Sequence, residues 1–598
     1  MGNNSVVGFD FGTTNSLVSS IRGGRAINFL DKEGLPFPSV VCYEGAKKIV
    51  GRDAKERLGE AGLGVKGNIV YSPKLLLGRE NVFIDGVERN PVDIVSDVLT
   101  YISQQVRVGR RGKELGKIDR AIVTIPVDME GYRRVLLRDA FRLAGISIVQ
   151  FVHEPLAALY GFFKSQDDMA TMLRRYDRKL MLVFDWGGGT LDLTICRLVN
   201  GMLVQLANDG TEDVGGDVFD DAIQNEIVRR VLKARNLDKT VQYQPDAKIR
   251  MRQYCERAKI DLSSRGNIEL YVRGFFQSVS DKALSYSLNR DALEDMTKSL
   301  LDKGFSRIDK LLEAAGISHA QIALCLATGG MTNMPTIKAR LHEWFGPQRV
   351  QMPERNGTLI AEGAAWIAHD GARLRLAKNV ELLLARNSYM PLVQATTLMP
   401  SEGEVESDKF HLYCCDPRDG FAKFQLCAPI RPGMKVLPND RRHPLVNLIV
   451  EVDSEAKPFH ERLELDISVD DNLILKAQAR SLNKQSLAEE EVHNLEFGLS
   501  FPTTTGDLLE EGAEESVNVS EGVIENEAGS IVFRSNITNR EDNSLIPGEL
   551  LYSYDPYYFD KRHDPPRVQV QERLFYEPCS RCRRASNDPL CRCSSLLK

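Results

Sequence analysis

The chain has 598 residues, with 77 Lys or Arg against 83 Asp or Glu and a formal charge of -6. At 42% hydrophobic and 27% charged residues it can bury several cores, which predicts three or more domains, and the near balance of charge gives no global argument for nucleic acid as a partner. No apolar run approaches the roughly 18 residues of a membrane span, Met1 leads almost directly into a strand pattern, and MGNNSV misses the myristoylation pattern at Val6, so a cytoplasmic protein without a membrane partner is expected.

The first element is VVGFDFGTTNSLVSSI, residues 6–21: an apolar strand, Asp10, Gly12, the hydroxyls of Thr13 and Thr14, and a second apolar strand. The same order returns in LMLVFDWGGGTLDLTI, residues 180–195, with Asp185, Gly187, Gly188, Gly189, Thr190 and Asp192. A plain hairpin turn would account for glycine between two strands. Chemistry favours more, because successive N–H groups in a glycine turn form a concave anion site to which a threonine adds a donor. Asp185 and Asp192 would repel a phosphate, so a divalent cation is expected between them and it. Aligning Asp10 with Asp185 predicts an internal duplication with one phosphate-facing hairpin per half. There is no G-x-x-x-x-G-K-[ST], which excludes a P-loop of the Walker type.

Between the hairpins, RAIVTIPVDMEGYRRVLLRDAFRLAGI reads as a strand from Arg120 to Ile125 and then a helix. Its Leu137, Ala140, Phe141 and Ala144 fall at helical spacing. IALCLATGGMTNMPTIKARLHEWF repeats strand, turn and helix, with Ile337, Leu341, Trp344 and Phe345 as the stripe. Gly329 and Gly330 open that helix, where a backbone can approach a ligand. Strands alternating with helices in both halves predict two α/β lobes around a cleft.

GFDFGTTNS, FVHEPLAALYG, VFDWGGGTLDL, CERAKIDLSS and ATGGMTNMP, in this order from about residue 5 to 372, resemble the ATPase domain of the 70-kDa heat-shock chaperone (DnaK-like) family. That family belongs to the actin and sugar-kinase superfamily. The resemblance implies an α/β two-lobed actin-like ATPase domain over 1–375 that binds ATP or ADP with Mg2+, with K+ beside them, and hydrolyses ATP slowly. It implies that Asp10 and Asp185 hold magnesium through water, with Asp192 next to them, and that Thr13, Thr14, Gly187, Gly188 and Thr190 contact the phosphates, Gly12 and Gly189 lying in the same turns. Lys74, in YSPKLLLGR, matches a lysine near the γ-phosphate and the attacking water, and Glu154 a glutamate that acts as base or orients that water. Glu256, Lys259 and Ser263 match ribose and adenine contacts, and Gly216, Gly329 and Gly330 complete the nucleoside pocket. Asn333 stands where the family usually has an arginine on the adenine, so weaker nucleotide affinity is expected. Pro126 and Arg134 match residues that relay nucleotide state to the peptide-binding part. In-line hydrolysis is mostly positioning and charge neutralisation, which these residue types suit.

An interdomain linker is expected over 376–395. NVELLLARNSYMPLV keeps Leu382, Leu383 and Leu384 of the family's hydrophobic linker but continues into Ala385 and Arg386 rather than an aspartate. Polypeptide clients and J-domain and nucleotide-exchange co-chaperones are the partners the resemblance implies. Residues 396–502 read as short strands bounded by Pro, Gly, Asp and Asn, a β-sandwich-like domain, and LDISVDDNLILKAQARS is similar to the strand pair that closes the family's peptide-binding β-domain. An open edge there would bind extended peptides; a packing or dimerisation module is the other reading.

Residues 506–527 carry eight acidic residues and no Lys or Arg, which predicts an acidic linker over 503–530 in place of a helical lid. The segment 531–598 is an irregular Cys-containing tail, with Cys579, Cys582, Cys591 and Cys593 spaced as C-x2-C and C-x-C. That spacing suits structural Zn2+, paired disulfides, or a basic or lipidated tail. Two functions compete: an ATP-dependent molecular-chaperone-like protein with a lidless β-domain, and a nucleotide-gated sensor or scaffold for one dedicated partner. A sugar kinase fits less well, because the β-rich region has no place in one.

Overall fold

The apolar runs around Asp10 and Asp185 build the same sheet twice. Val7–Phe11 pairs parallel with Arg120–Ile125 and antiparallel with Asn15–Arg22, in the strand order Ser147–His153, Arg120–Ile125, Val7–Phe11, Asn15–Arg22, Arg25–Phe29. Leu180–Trp186 pairs in the same senses within the order Val350–Gln351, Ile322–Thr328, Leu180–Trp186, Leu191–Val199, Met202–Thr211. The duplication read from two hairpins therefore extends over five strands. Register carries it to single residues: Asp10 stands opposite Thr124 on its parallel neighbour, and Asp185 opposite Thr328.

The central strands are buried on both faces, as Met181, Leu182, Val183 and Phe184 show, because helices cover the parallel part of each mixed sheet on both sides. In the first lobe the helix Gly131–Leu143 buries Leu137, Ala140 and Phe141, while Ala144 forms its half-buried cap. In the second, Pro335–Phe345 buries Ile337, Leu341 and Phe345, with Trp344 packed against the same core. That helix starts at Pro335 and not at the glycine pair. Gly330–Asn333 forms a separate 3-10 turn, since proline is favoured in the first helical turn, where its missing N–H costs nothing.

The computed structural model describes residues 6–57, 68–108, 117–238, 240–244, 247–277, 279–353, 357–385, 388–430 and 441–502. The chain divides into two compact units, Met1–Arg373 with Leu499–Thr503, and Leu374–Gly498 with Thr504–Lys598. The described part of the second unit holds two four-stranded antiparallel sheets. One runs Tyr389–Val393, Val380–Leu383, Phe421–Pro429, Arg442–Glu451; the other runs Val405–Tyr413, Arg462–Asp470, Leu475–Ser481, Leu487–Val492. Alternation sets the inner face: Leu463, Leu465, Ile467 and Val469 are buried with intermediate or exposed residues between them.

The segment read as a 376–395 linker is different in the structure. Val380–Leu383 and Tyr389–Val393 are paired strands of the second unit, and Leu382, Leu383 and Leu384 are buried. Three consecutive leucines exposed in a linker would forgo the gain that burial in a sheet supplies. The acidic linker of 503–530 and the four tail cysteines lie outside the described residues.

Candidate functional site

The two glycine–threonine turns face each other across the first unit. A Cβ added at Gly188 would stand 2.4 Å from Thr14 Oγ1, and one at Gly189 3.1 Å from Thr13 Cγ2. Only glycine permits that approach between the lobes. The Gly187 N–H closes its own turn on the Thr190 carbonyl at 2.9 Å, and Gly216 and Asp217 donate to the carbonyls of Gly187 and Gly188 at 3.1 and 2.8 Å. The helix Gly216–Ala234 thus begins directly behind the second turn. Gly12 is held by Ser39, whose hydroxyl donates to its carbonyl at 2.9 Å. Thr14 Oγ1 is buried and has no hydrogen-bond partner among the described residues. A hydroxyl in that state fits an acceptor such as a phosphate oxygen.

Beneath the turns lies a set of buried carboxylates. Asp10 accepts from Thr124 Oγ1 at 2.8 Å, Asp192 from Thr190 Oγ1 at 2.6 Å, and Asp185 and Asp192 are cross-strand neighbours. Lys74 Nζ stands 3.6 Å from Glu154 Oε1, with both side chains almost wholly buried. Burial and the charges of Glu154 and Asp10 push Asp185 up to about 8. Glu154 and Asp192 are raised by the same loss of solvent, against the opposing pull of Lys74, and Asp10 is raised by burial too. Four carboxylates with one ammonium among them form a site short of positive charge.

A hydrated dication fits that shortage. Among the described residues no group of three or more His, Cys, Asp or Glu is arranged to hold a metal ion by itself. Asp10, Asp185 and Asp192 are the carboxylates that would face such an ion.

Three elements meet at Gly216, where a Cβ would stand 3.1 Å from Met331 Sδ and 3.2 Å from Lys259 Nζ. Lys259 is engaged by Asp220 at 2.8 Å and by the Gly216 carbonyl at 2.9 Å. Gly329 has φ of +83° and lies against Trp186 O and Asp185 Oδ1, so the strand Ile322–Thr328 delivers its turn directly onto the carboxylates. Gly330 faces open space, and the exposed Asn333 donates from Nδ2 to the Gly330 carbonyl at 3.2 Å. Ser263 is half-buried, with its carbonyl accepting from Arg290.

Glu256 bridges the cleft: its carboxylate accepts from Lys55 Nζ of the opposite lobe at 2.9 Å. Beside it Arg252 donates to Tyr71 Oη at 3.0 Å, again across the cleft. A partly exposed pair contributes at most about 1 kcal/mol. Lys55→Ala is expected to speed nucleotide release by roughly two- to fivefold at low salt, and 0.5 M salt should bring wild type and variant together. Stopped-flow release of a fluorescent ADP measures both; equal rates at low salt would show that the bridge does not restrain opening.

Sequence reading missed three contributors. Thr124 and Thr328 stand beside the two aspartates, and their signal is a threonine in matching register on each parallel neighbour. Asp128 approaches Asp192 at Gly210, where a Cβ would stand 3.2 Å from Asp128 Oδ2 and 3.4 Å from Asp192 Oδ1. Its loop is fixed by the fully buried Arg134, which donates to the carbonyls of Met129 and Val127.

The family model of the Hsp70 protein matches residues 6–97 and 79–373, which takes in both hairpins, Lys74, Glu154 and the elements that meet at Gly216. No helix among the described residues is long and apolar enough to cross a membrane.

Proposed function

The chain belongs to the Hsp70 family, whose members are ATP-dependent chaperones that use nucleotide with Mg2+, and on that premise we propose that this protein binds and slowly hydrolyses ATP in its first unit to control the binding of polypeptide segments by its β-rich unit. The observation that carries the ATPase part is the meeting of the two turns, Thr14 against Gly188 and Thr13 against Gly189, above Asp10, Asp185 and Asp192.

Lys74 and Glu154 would act on the attacking water. Paired with Lys74, Glu154 holds its carboxyl in one orientation, where it accepts a proton or aligns the water for in-line attack. Thr190, tied to Asp192, presents its hydroxyl oxygen at the turn that would cradle the γ-phosphate. The bound Mg2+ would neutralise phosphate charge. Glu256, Lys259, Ser263, Gly216, Gly329, Gly330 and Asn333 would flank the nucleoside.

Support for the polypeptide part comes from sheet edges of the β-rich unit that pair with no further strand among the described residues. Val405–Tyr413 is an edge strand, and its residues 405–409 are all exposed. Such an edge can pair with an extended backbone. On the expectation that the acidic stretch 506–527 stands in place of a helical lid, release is expected to be fast even with ADP bound. Stopped-flow release of a labelled peptide tests this: seconds or less supports a lidless site, and many minutes means that some other segment closes over it. Capture from lysate then separates functions, many unrelated polypeptides supporting a chaperone and one stoichiometric protein supporting a dedicated scaffold.

A further inference from the structure

Leu499–Thr503 belongs to the ATPase unit although it follows the β-rich unit in sequence. The described residues of the β-rich unit, Leu374–Gly498, therefore lie between two stretches of the ATPase unit in chain order. Besides the sheet pairing of the strand Phe497–Ser500, the returning segment is held by one aromatic residue. Phe501, 6% exposed, stacks on Tyr160 with ring centroids 4.4 Å apart and an interplanar angle of 18°. It meets Phe163 edge-on at 5.6 Å, and its N–H donates to the Gly201 carbonyl at 2.9 Å.

Tyr160 and Phe163 lie on the helix Glu154–Lys164, buried from Glu154 to Phe163. The far end of that helix is tied down by Asp370, which accepts from Tyr160 Oη at 2.6 Å and pairs with Lys164 Nζ at 2.8 Å. Its near end is Glu154, 3.6 Å from Lys74. At a rise of about 1.5 Å per residue, Tyr160 sits roughly 9 Å along the axis from Glu154. A close-packed helix of this length moves as one piece, so a shift at Tyr160 reaches Glu154 nearly undiminished.

We propose that Phe501 is a positioning residue for ATP hydrolysis: the chain returning from the β-rich unit holds the Glu154–Lys164 helix in the place where Glu154 meets Lys74. Turnover in the ATPase unit then depends on the chain beyond the β-rich unit, and a strain carried along that chain has a direct route to the reacting water. This rests on the reading of Glu154 as the residue that orients the water. Misplacement of such a group by about 1 Å costs on the order of a hundredfold in rate.

The test uses the full chain and Mg-ATP, with kcat and KM measured separately. Phe501→Ala is expected to lower kcat tenfold or more with KM within twofold, and Phe501→Leu, which keeps apolar bulk but not the ring stacked on Tyr160, to show a kcat between those of Phe501→Ala and wild type. A merely structural role would lower the melting temperature and leave the kcat of the folded protein unchanged. If Glu154→Gln keeps wild-type turnover, the reading of Glu154 fails and this inference with it. If Glu154→Gln abolishes turnover while a cooperatively folding Phe501→Ala keeps kcat within twofold, the inference alone fails. Should Phe501→Ala not fold, Phe501→Leu decides: a lowered kcat at constant KM supports the positioning role, and wild-type kcat overturns it.

Discussion

Replacing Lys74 or Thr190 by alanine is expected to remove most ATP hydrolysis while leaving nucleotide binding largely in place. On the proposed function the two side chains act on the same reaction from opposite lobes. Lys74 supplies the ammonium closest to Glu154, and Thr190 supplies a hydroxyl fixed by Asp192 at 2.6 Å. Neither closes a core, so loss of a transition-state contact is not confounded with loss of fold. Removing one preorganised donor of this kind typically costs about 10²–10³ in turnover, or ~3–4 kcal/mol. Because the loss falls on groups that matter more in the transition state than in the bound substrate, KM should change little. Lys74→Ala should be the more severe, since it also leaves the Glu154 carboxyl without its counter-charge. Single-turnover hydrolysis beside equilibrium binding of a labelled nucleotide separates the two quantities. Wild-type turnover in both variants would remove the ATPase assignment.

How much of this site was readable in advance depended on sequence distance. Asp10, Gly12, Thr13 and Thr14, and their counterparts Asp185 to Thr190, are contiguous, so strand periodicity and glycine placement expose them without any knowledge of contacts. The full five-strand duplication is carried by neighbours more than a hundred residues away, such as Thr124 beside Asp10, and no local pattern specifies that register. Glu256 shows the same limit. Its place on a helix next to Lys259 was legible, but its pairing with Lys55, 201 residues earlier, was not. The strands at Val380–Leu383 and Tyr389–Val393 were taken for linker because short apolar runs broken by Arg386 and Asn387 lack the length that separates a strand from a hydrophobic tether. Phe501 carried no signal, since a lone phenylalanine before Pro502 reads as the end of a strand. Its role exists only once Tyr160 and Phe163 are beside it.

Without nucleotide the protein should lose stability as pH rises from about 4 to 8, and Mg-nucleotide should restore more of it the higher the pH. The cause is the carboxylate set. Asp10, Glu154, Asp185 and Asp192 all have folded-state pKa values raised above those of the unfolded chain, Asp185 to about 8. A raised pKa contributes stability that is fully present below the unfolded value near 4 and is lost as pH climbs through the folded value. Above that point the folded protein must either hold repelling buried charges or bind protons the unfolded chain has released. A bound dication with its phosphates changes the balance, because it favours the ionised carboxylates and so binds with proton release. Asp185→Asn isolates the effect, since an amide keeps the shape without ionising. At pH 8 and without nucleotide the variant is expected to melt several degrees above wild type, a gain on the order of a few kcal/mol. At pH 5 the gap should shrink to roughly a third of that, and the variant should gain far less from Mg-ATP at any pH. Thermal unfolding at pH 5, 6.5 and 8, with and without Mg-ATP, measures all three. A variant that is less stable than wild type at pH 8 would mean that Asp185 is ionised and already compensated in the free protein, and that the site does not depend on a bound cation for its charge.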